Sequence, residues 1–242
     1  MFSAGRKVDG VAASDERDGP LPSLLLVLTI VTGLVDAISY LKLGHVFVAN
    51  MTGNVIFLGL AVAGATDVSV AGSLVATAAF MAGALLGGRF GSHVGRHRGR
   101  LLATATYVEI ALVTVALILS IIAIAPNSGY ASMVLIASLA LAMGLQNATA
   151  RRLAVPDLTT TVLTLTLTGL AADSRLARGS SPNAGRRMMA TAAMCAGAAV
   201  GAFLLLHVGV GSVLALTLAL LVAVGFASYR TTTLSDAWTI GK

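Results

Sequence analysis

The chain has 242 residues, 57% of them hydrophobic and 11% charged, with a mean hydropathy of +0.90. A soluble domain carries about 25% charged residues because its surface faces water, so a water-soluble globule is excluded. The 16 Lys and Arg outnumber the 10 Asp and Glu, but they fall in short clusters between apolar runs, the pattern of cytoplasmic loops and not of a nucleic-acid surface.

Residues 1–20 read as a polar, disordered tail. Arg6, Lys7, Asp9, Asp15, Glu16, Arg17 and Asp18 mix both signs, so no basic segment leads into a cleavage site and the first apolar run is expected to be retained. Apolar runs follow at 21–41, 46–65, 70–88, 101–124, 130–150, 158–172, 187–207 and 210–228. A crossing helix needs about 20 such residues, which predicts an all-α, polytopic membrane bundle. The single cysteine, Cys195, rules out a disulfide within the chain and reads as packing.

The two halves echo each other. "GLVDAISYLKLG" (33–44) resembles "GLQNATARRLAV" (144–155), and "AAFMAGALLGG" (78–88) resembles "AAMCAGAAVGA" (192–202). The sequence therefore divides into a first membrane repeat at 21–125, a second at 126–230 and a C-terminal tail at 231–242. If all eight runs crossed, the basic loops would be split nearly evenly between the two sides. If the second run of each half (46–65 and 158–172) turns back instead, fifteen of the sixteen Lys and Arg share the cytoplasmic side and Lys42 alone lies outside. The positive-inside rule favours the latter. The prediction is six spans with two re-entrant or broken segments and cytoplasmic termini in a bacterial plasma membrane. A seven-span version, with 46–65 crossing, is the alternative. Three crossings per half would insert the halves in opposite orientations, the plan of many secondary transporters. Tyr40, Tyr107, Tyr130 and Tyr229 near run ends suit the aromatic belts.

Within the runs, "ANMTGN" (49–54) invites a break at Gly53, with Asn50, Thr52 and Asn54 taking up freed backbone groups and Thr160, Thr161 and Thr164 doing the same in the second half. Asp36 and Glu109 are the only carboxylates deep in apolar runs, where a charge is costly and marks a pathway or a partner. For Asp36 the plainer role is a headgroup-level pair with Lys42; for Glu109 it is a buried acid bonded to a neighbouring helix. The repeat sets Gln146 and Asn147 opposite Val35 and Asp36, which predicts one polar cavity shared by the halves; side chains bonded only to a neighbouring helix are the alternative. "GALLG" (83–87) and "GAAVG" (197–201) repeat the GxxxG close-packing motif. Gly83, Gly87, Gly197 and Gly201 are thus expected to pack helices, either the third runs of the halves against each other or a homo-oligomer face.

His93 and His97 have metal spacing, but Gly91, Gly95 and Gly99 and the surrounding Arg89, Arg96, Arg98 and Arg100 make a basic loop against anionic lipid headgroups the better reading. No metal or cofactor is expected. There is no Walker A lysine motif, G-x-S-x-G elbow or H-E-x-x-H, so an ATP-driven pump and a membrane protease are disfavoured and the chain is not expected to be an enzyme.

In "GLVDA", "VFVANMTGN" and "MGLQNATARRL" the chain resembles the YoaK-like family of bacterial integral membrane proteins of unknown function, and the resemblance covers residues 21–230. The resemblance implies six spans and supplies no substrate. The sequence departs from the pattern at Leu165, where a glycine is expected after Thr164. The leading expectation is a secondary transporter or permease for a small solute, coupled to protons through Asp36. The alternative is a non-transporting scaffold or lipid-binding protein.

Overall fold

The structure, a computed structural model, describes residues 18–66, 68–93, 97–122, 129–156, 158, 163–174, 177, 179, 183–232 and 237–239. These form eight α-helices: α1 (Leu21–Lys42), α2 (Met51–Val62), α3 (Val70–His93), α4 (Arg98–Ile122), α5 (Gly129–Leu153), α6 (Leu163–Ala172), α7 (Ala184–His207) and α8 (Val210–Arg230), followed by a 3₁₀ turn at Ala237–Thr239. Lipid leaves no water to satisfy backbone amides, so an apolar chain within it is driven to helix. Threonines inside the helices bond their own preceding turn, as Thr29 does to the Leu25 carbonyl and Thr217 to that of Val213.

Six helices of 21 to 25 residues are long and apolar enough to cross a bilayer. The other two are short. α2 has 12 residues and α6 has 10, reaching about 18 and 15 Å at 1.5 Å per residue, well below a hydrocarbon core of about 30 Å.

Contacts fix which helix ends lie together. Asp18, just before α1, pairs with Arg98 at the start of α4 and Arg186 at the start of α7. Arg98 also donates to the carbonyls of Leu153, at the end of α5, and Trp238, beyond α8. One end of the bundle therefore holds the starts of α1, α4 and α7 and the ends of α5 and α8. At the other end Gly44 lies against Ser69, so the chain leaves α1 and enters α3 at one level. Neither α2 nor α6 is an extra crossing in this arrangement, and the seven-span version is excluded. It would put the starts of α1 and α4 at opposite ends, whereas Asp18 and Arg98 touch.

α1 and α5 are the central helices, with 67% and 61% of their apolar windows buried; the other four long helices reach 22–33%. Side chains such as Met81, Ile121, Phe203 and Phe226 project outward, as expected of a lipid-facing shell. The GxxxG helices do not form a pair with each other. α3 packs on α5 and α7 on α1. A Cβ at Gly83 would overlap the Leu141 carbonyl and one at Gly144 the Phe80 carbonyl; in the other pair Gly197 meets the Ile30 carbonyl and Gly33 that of Met194. Small residues allow close approach to any helix, so the motif found the contact and not the partner. Residue numbers rise together along both pairs, so each pair runs parallel.

Candidate functional site

The loop between α1 and α2 is built around Asp36. Gly44 and His45 both adopt left-handed φ, 96° and 56°, and turn the chain back against α1. The Asp36 Oδ1 accepts the amide N–H groups of Val48 (3.0 Å) and Ala49 (2.9 Å). Its Oδ2 accepts the Asn50 side-chain amide. Asn54 closes the loop from the other side: its Oδ1 accepts the Phe47 N–H at 2.9 Å and its Nδ2 donates to the Phe47 carbonyl at 2.6 Å. Phe47 stacks between Tyr40 and Phe57, with centroids 5.3 and 5.9 Å apart.

Asp36 lies six residues before the end of α1, about 9 Å below it, so residues 43–50 descend to that depth as non-helical backbone. Such backbone is tolerated where protein buries and satisfies it, which is what the two side chains do. The expected break at Gly53 is therefore replaced by a helix start. α2 begins at Met51 with Asn50 at its N-cap, and Gly53 lies in its first turn. A Cβ at Gly53 would collide with the Phe47 ring, so the glycine is a seat for that ring. Thr52 is exposed. Asp36 serves the loop, and not a headgroup pair with Lys42.

The second-half residues lie elsewhere. Asp36 is enclosed by the loop at residues 48–50, whereas Asn147 lines a groove whose lining does not include Asp36. Gln146 faces inward, its Nε2 donating to Thr32 Oγ1 (2.9 Å) and the Leu28 carbonyl (3.3 Å) on α1. Asn147 bonds the Met143 carbonyl of its own helix and lines an open groove of about 620 Å³ between α3 and α5, with Phe80, Ala84, Gly88, Ala148, Arg151 and Arg152. Arg151 and Arg152 are exposed and have no carboxylate partner among the described residues. Thr164 is exposed near the start of α6; Thr160 and Thr161 lie outside the described residues. Glu109 is 1% exposed, and its Oε2 has no hydrogen-bond partner among the described residues. Those residues contain no group of three or more His, Cys, Asp or Glu able to hold a metal; the side chain of His93 is outside them.

Sequence reasoning missed the Asp18 latch. Arg98 stands in the basic cluster expected to face lipid, yet its side chain is only 12% exposed and is held by Asp18 at 3.1 Å. The partners are 80 positions apart, and Asp18 falls in the stretch read as a tail. Gly19 fits beneath the Trp238 ring, which ties both chain ends into one contact. The one available signal was Asp18 standing two positions before Pro20, the N-cap of α1.

Comparison with known proteins gives a family without an assigned activity. Residues 24–227 match the family described as "Protein of unknown function (DUF1275)". The chain is 39% identical over 155 residues to the UPF0700 transmembrane protein YoaK of Bacillus subtilis (strain 168), an alignment covering 62% of this chain and 66% of the relative, just under two thirds of its length. No solved structure matches.

Proposed function

We propose that this chain, which belongs to the DUF1275 family, is a secondary transporter for a small anionic solute. The observation that carries the reading is the groove between α3 of the first half and α5 of the second, where Asn147, Arg151 and Arg152 line about 620 Å³. That volume is in the range of small-molecule sites, about 300–1,000 Å³. Two guanidinium groups and an amide are donors matched to a carboxylate or phosphate. The halves insert in opposite orientations, with the latch end and both termini on the cytoplasmic side of a bacterial plasma membrane. Supporting this, Arg98, Arg151, Arg152, Arg186, Arg187 and Arg230 all stand at the latch end, the side the positive-inside rule assigns to the cytoplasm. The solute then enters the groove from the cytoplasm in the state described here. In this reading Asp36 shapes the loop, and the groove takes over the substrate role the sequence gave to the Asp36 region.

Uptake into proteoliposomes tests the proposal, using a panel of small carboxylates, sulfonates and inorganic phosphate. At least one anion should accumulate above empty liposomes, and R151A together with N147A should reduce its uptake at least tenfold. If no anion moves while the arginine variants lose binding to anionic lipid vesicles, the groove is a headgroup site and the transport reading fails.

A further inference from the structure

Six buried side-chain atoms have no hydrogen-bond partner among the described residues, and all six are oxygens: Ser73 Oγ, Thr106 Oγ1, Glu109 Oε2, Gln146 Oε1, Thr149 Oγ1 and Ser228 Oγ. Ser73 stands near the start of α3, at the end away from the latch. The other five lie on α4, α5 and α8, and α4 packs against both other helices.

Their Cα positions span about 11 Å of height, and the lean of the side chains narrows that span. Arg98 meets Leu153 and Gly99 meets Thr231, which aligns the three helices at the latch. Counting 1.5 Å per residue from there puts Ser228 at about 5 Å, Thr149 at about 6 Å, Gln146 at about 10 Å, Thr106 at about 12 Å and Glu109 at about 16 Å. Helical side chains lean toward the N-terminus of their own helix. α4 starts at the latch, so Thr106 and Glu109 lean down toward it. α5 and α8 end there, so Gln146, Thr149 and Ser228 lean up. Thr106 and Glu109 share a face of α4 at i, i+3, as Gln146 and Thr149 do on α5. Thr106 already reaches α8, since a Cβ at Gly225, one turn from Ser228, would meet the Thr106 methyl at 3.5 Å.

The Gln146 orientation is fixed by its partners. Its NH₂ donates to a carbonyl and a hydroxyl on α1, and the flipped amide would set oxygen against the Leu28 carbonyl, so Oε1 must face away from α1. None of the five oxygens bonds another, although three are hydroxyls able to donate. Buried polar groups left this way are destabilising unless something bridges them.

We propose that Thr106, Glu109, Gln146, Thr149 and Ser228 enclose a buried site for one small monovalent cation, either sodium among the oxygens or a proton carried on Glu109. The ligand set is hard oxygen with one carboxylate and no nitrogen or sulfur, which suits such a cation and not a transition metal. The other charges stay at the helix ends, apart from Asp36 on α1, which the loop at residues 48–50 encloses. On α4 these are Arg98 and Arg100, on α5 Arg151 and Arg152, on α8 Arg230 and on α3 Arg89; Tyr107, Tyr130 and Tyr229 are exposed. Glu109 is thus the one ionisable side chain within the cluster. When sodium replaces the proton, the Glu109 carboxyl becomes a sodium-bound carboxylate and one proton leaves per chain. The proposal does not rest on the transport reading, because binding needs no flux.

The test uses the full chain in lipid nanodiscs, lightly buffered, with a pH indicator and infrared detection of the carboxyl stretch. Adding sodium chloride, with choline chloride as control, should release up to one proton per chain in wild type and none in E109Q; this outcome assigns sodium. Absent a sodium effect, a carboxyl band that titrates reversibly between about pH 5 and about pH 9 and vanishes in E109Q assigns the proton. A band unmoved over that range, with no sodium-linked release, overturns the proposal. If E109Q does not fold, T149V and S228A carry the test: each should weaken sodium binding about tenfold or move the titration midpoint. Wild-type behaviour in both would also overturn it.

Discussion

Replacing Asp36 by Ala removes the acceptor for three donors at once: the amides of Val48 and Ala49 and the side chain of Asn50. The site is 6% exposed, so water does not readily take over. A hydrogen bond to a charged group contributes about 1.5–3 kcal/mol, and a stranded buried donor costs about 1–3 kcal/mol. These terms overlap, which leaves about 3–5 kcal/mol lost from the closed loop. Asp36→Asn is milder. Its Oδ1 still accepts from Val48 and Ala49, and turning the Asn50 amide over places an oxygen against the new NH₂, for a loss of about 1 kcal/mol. Hydrogen exchange reads the loop directly, because local opening sets the rate. Peptides covering residues 43–54, from protein in nanodiscs, should exchange about two to four orders of magnitude faster in D36A and less than about tenfold faster in D36N. Wild-type exchange in D36A would show that Asp36 does not hold the loop. Equal acceleration in both variants would show that net charge, and not acceptor geometry, is what matters.

The close helix crossings make a second prediction. G83A and G197A force a Cβ into a neighbouring carbonyl and should lower the unfolding midpoint by an amount equivalent to about 1–3 kcal/mol or more, whereas G59A, with open space around it, should leave the midpoint within about 0.5 kcal/mol; thermal denaturation followed by fluorescence-detected chromatography checks both. At the latch, R98A leaves Asp18 with Arg186 alone and frees the Leu153 and Trp238 carbonyls, and should cost about 2–4 kcal/mol, with D18N milder and a double-mutant cycle giving coupling above about 0.5 kcal/mol. Topology follows from single cysteines in a Cys195→Ser background. T66C and A177C, both at exposed positions, should react with an impermeant maleimide from opposite faces of the membrane. Labelling from the same face would refute the six-crossing arrangement.

Much of the fold could be read from local composition. The six long helices match six of the eight apolar runs within a few residues, because a membrane span is a run-length property. The distribution of Lys and Arg favoured six crossings over eight and left seven as the alternative, which the Asp18–Arg98 contact excludes. What local pattern could not supply was partnership. The GxxxG runs name a surface able to approach another helix, and either of two inter-half pairings satisfies them. Asp36 was recognisable as a costly group needing a partner, but that partner is main chain 12 and 13 residues ahead, and backbone carries no sequence signature. Asn54, read as relieving a break at Gly53, instead holds the Phe47 peptide. The polar residues expected to share one cavity divide among the loop, the α1–α5 contact and the groove.

Under the transport reading, the two halves differ where alternating access requires a difference. By the 111-residue offset between the similar segments, Asn147 aligns with Asp36 and Arg151 with Tyr40. In the first half that place is filled: Asp36 holds the loop and Tyr40 stacks on Phe47. In the second it lines the groove. Under the transport reading, opening the far end requires the loop to leave Asp36. At about 3–5 kcal/mol, that state holds about 10⁻² to 10⁻⁴ of the population. A solute resting in the groove cannot drive the exchange unless it binds the alternative state more tightly. α5 carries both sites, presenting Gln146 and Thr149 to the oxygen cluster and Asn147 and Arg151 to the groove, so a cation there is placed to supply the differential. Linkage makes this quantitative: the factor by which the cation changes loop opening must equal the factor by which a loosened loop changes cation affinity. Exchange of residues 43–54 with and without sodium, set beside the sodium affinity of D36A, measures both sides. Clear sodium binding with neither shift would leave the oxygen cluster occupied but uncoupled from the loop.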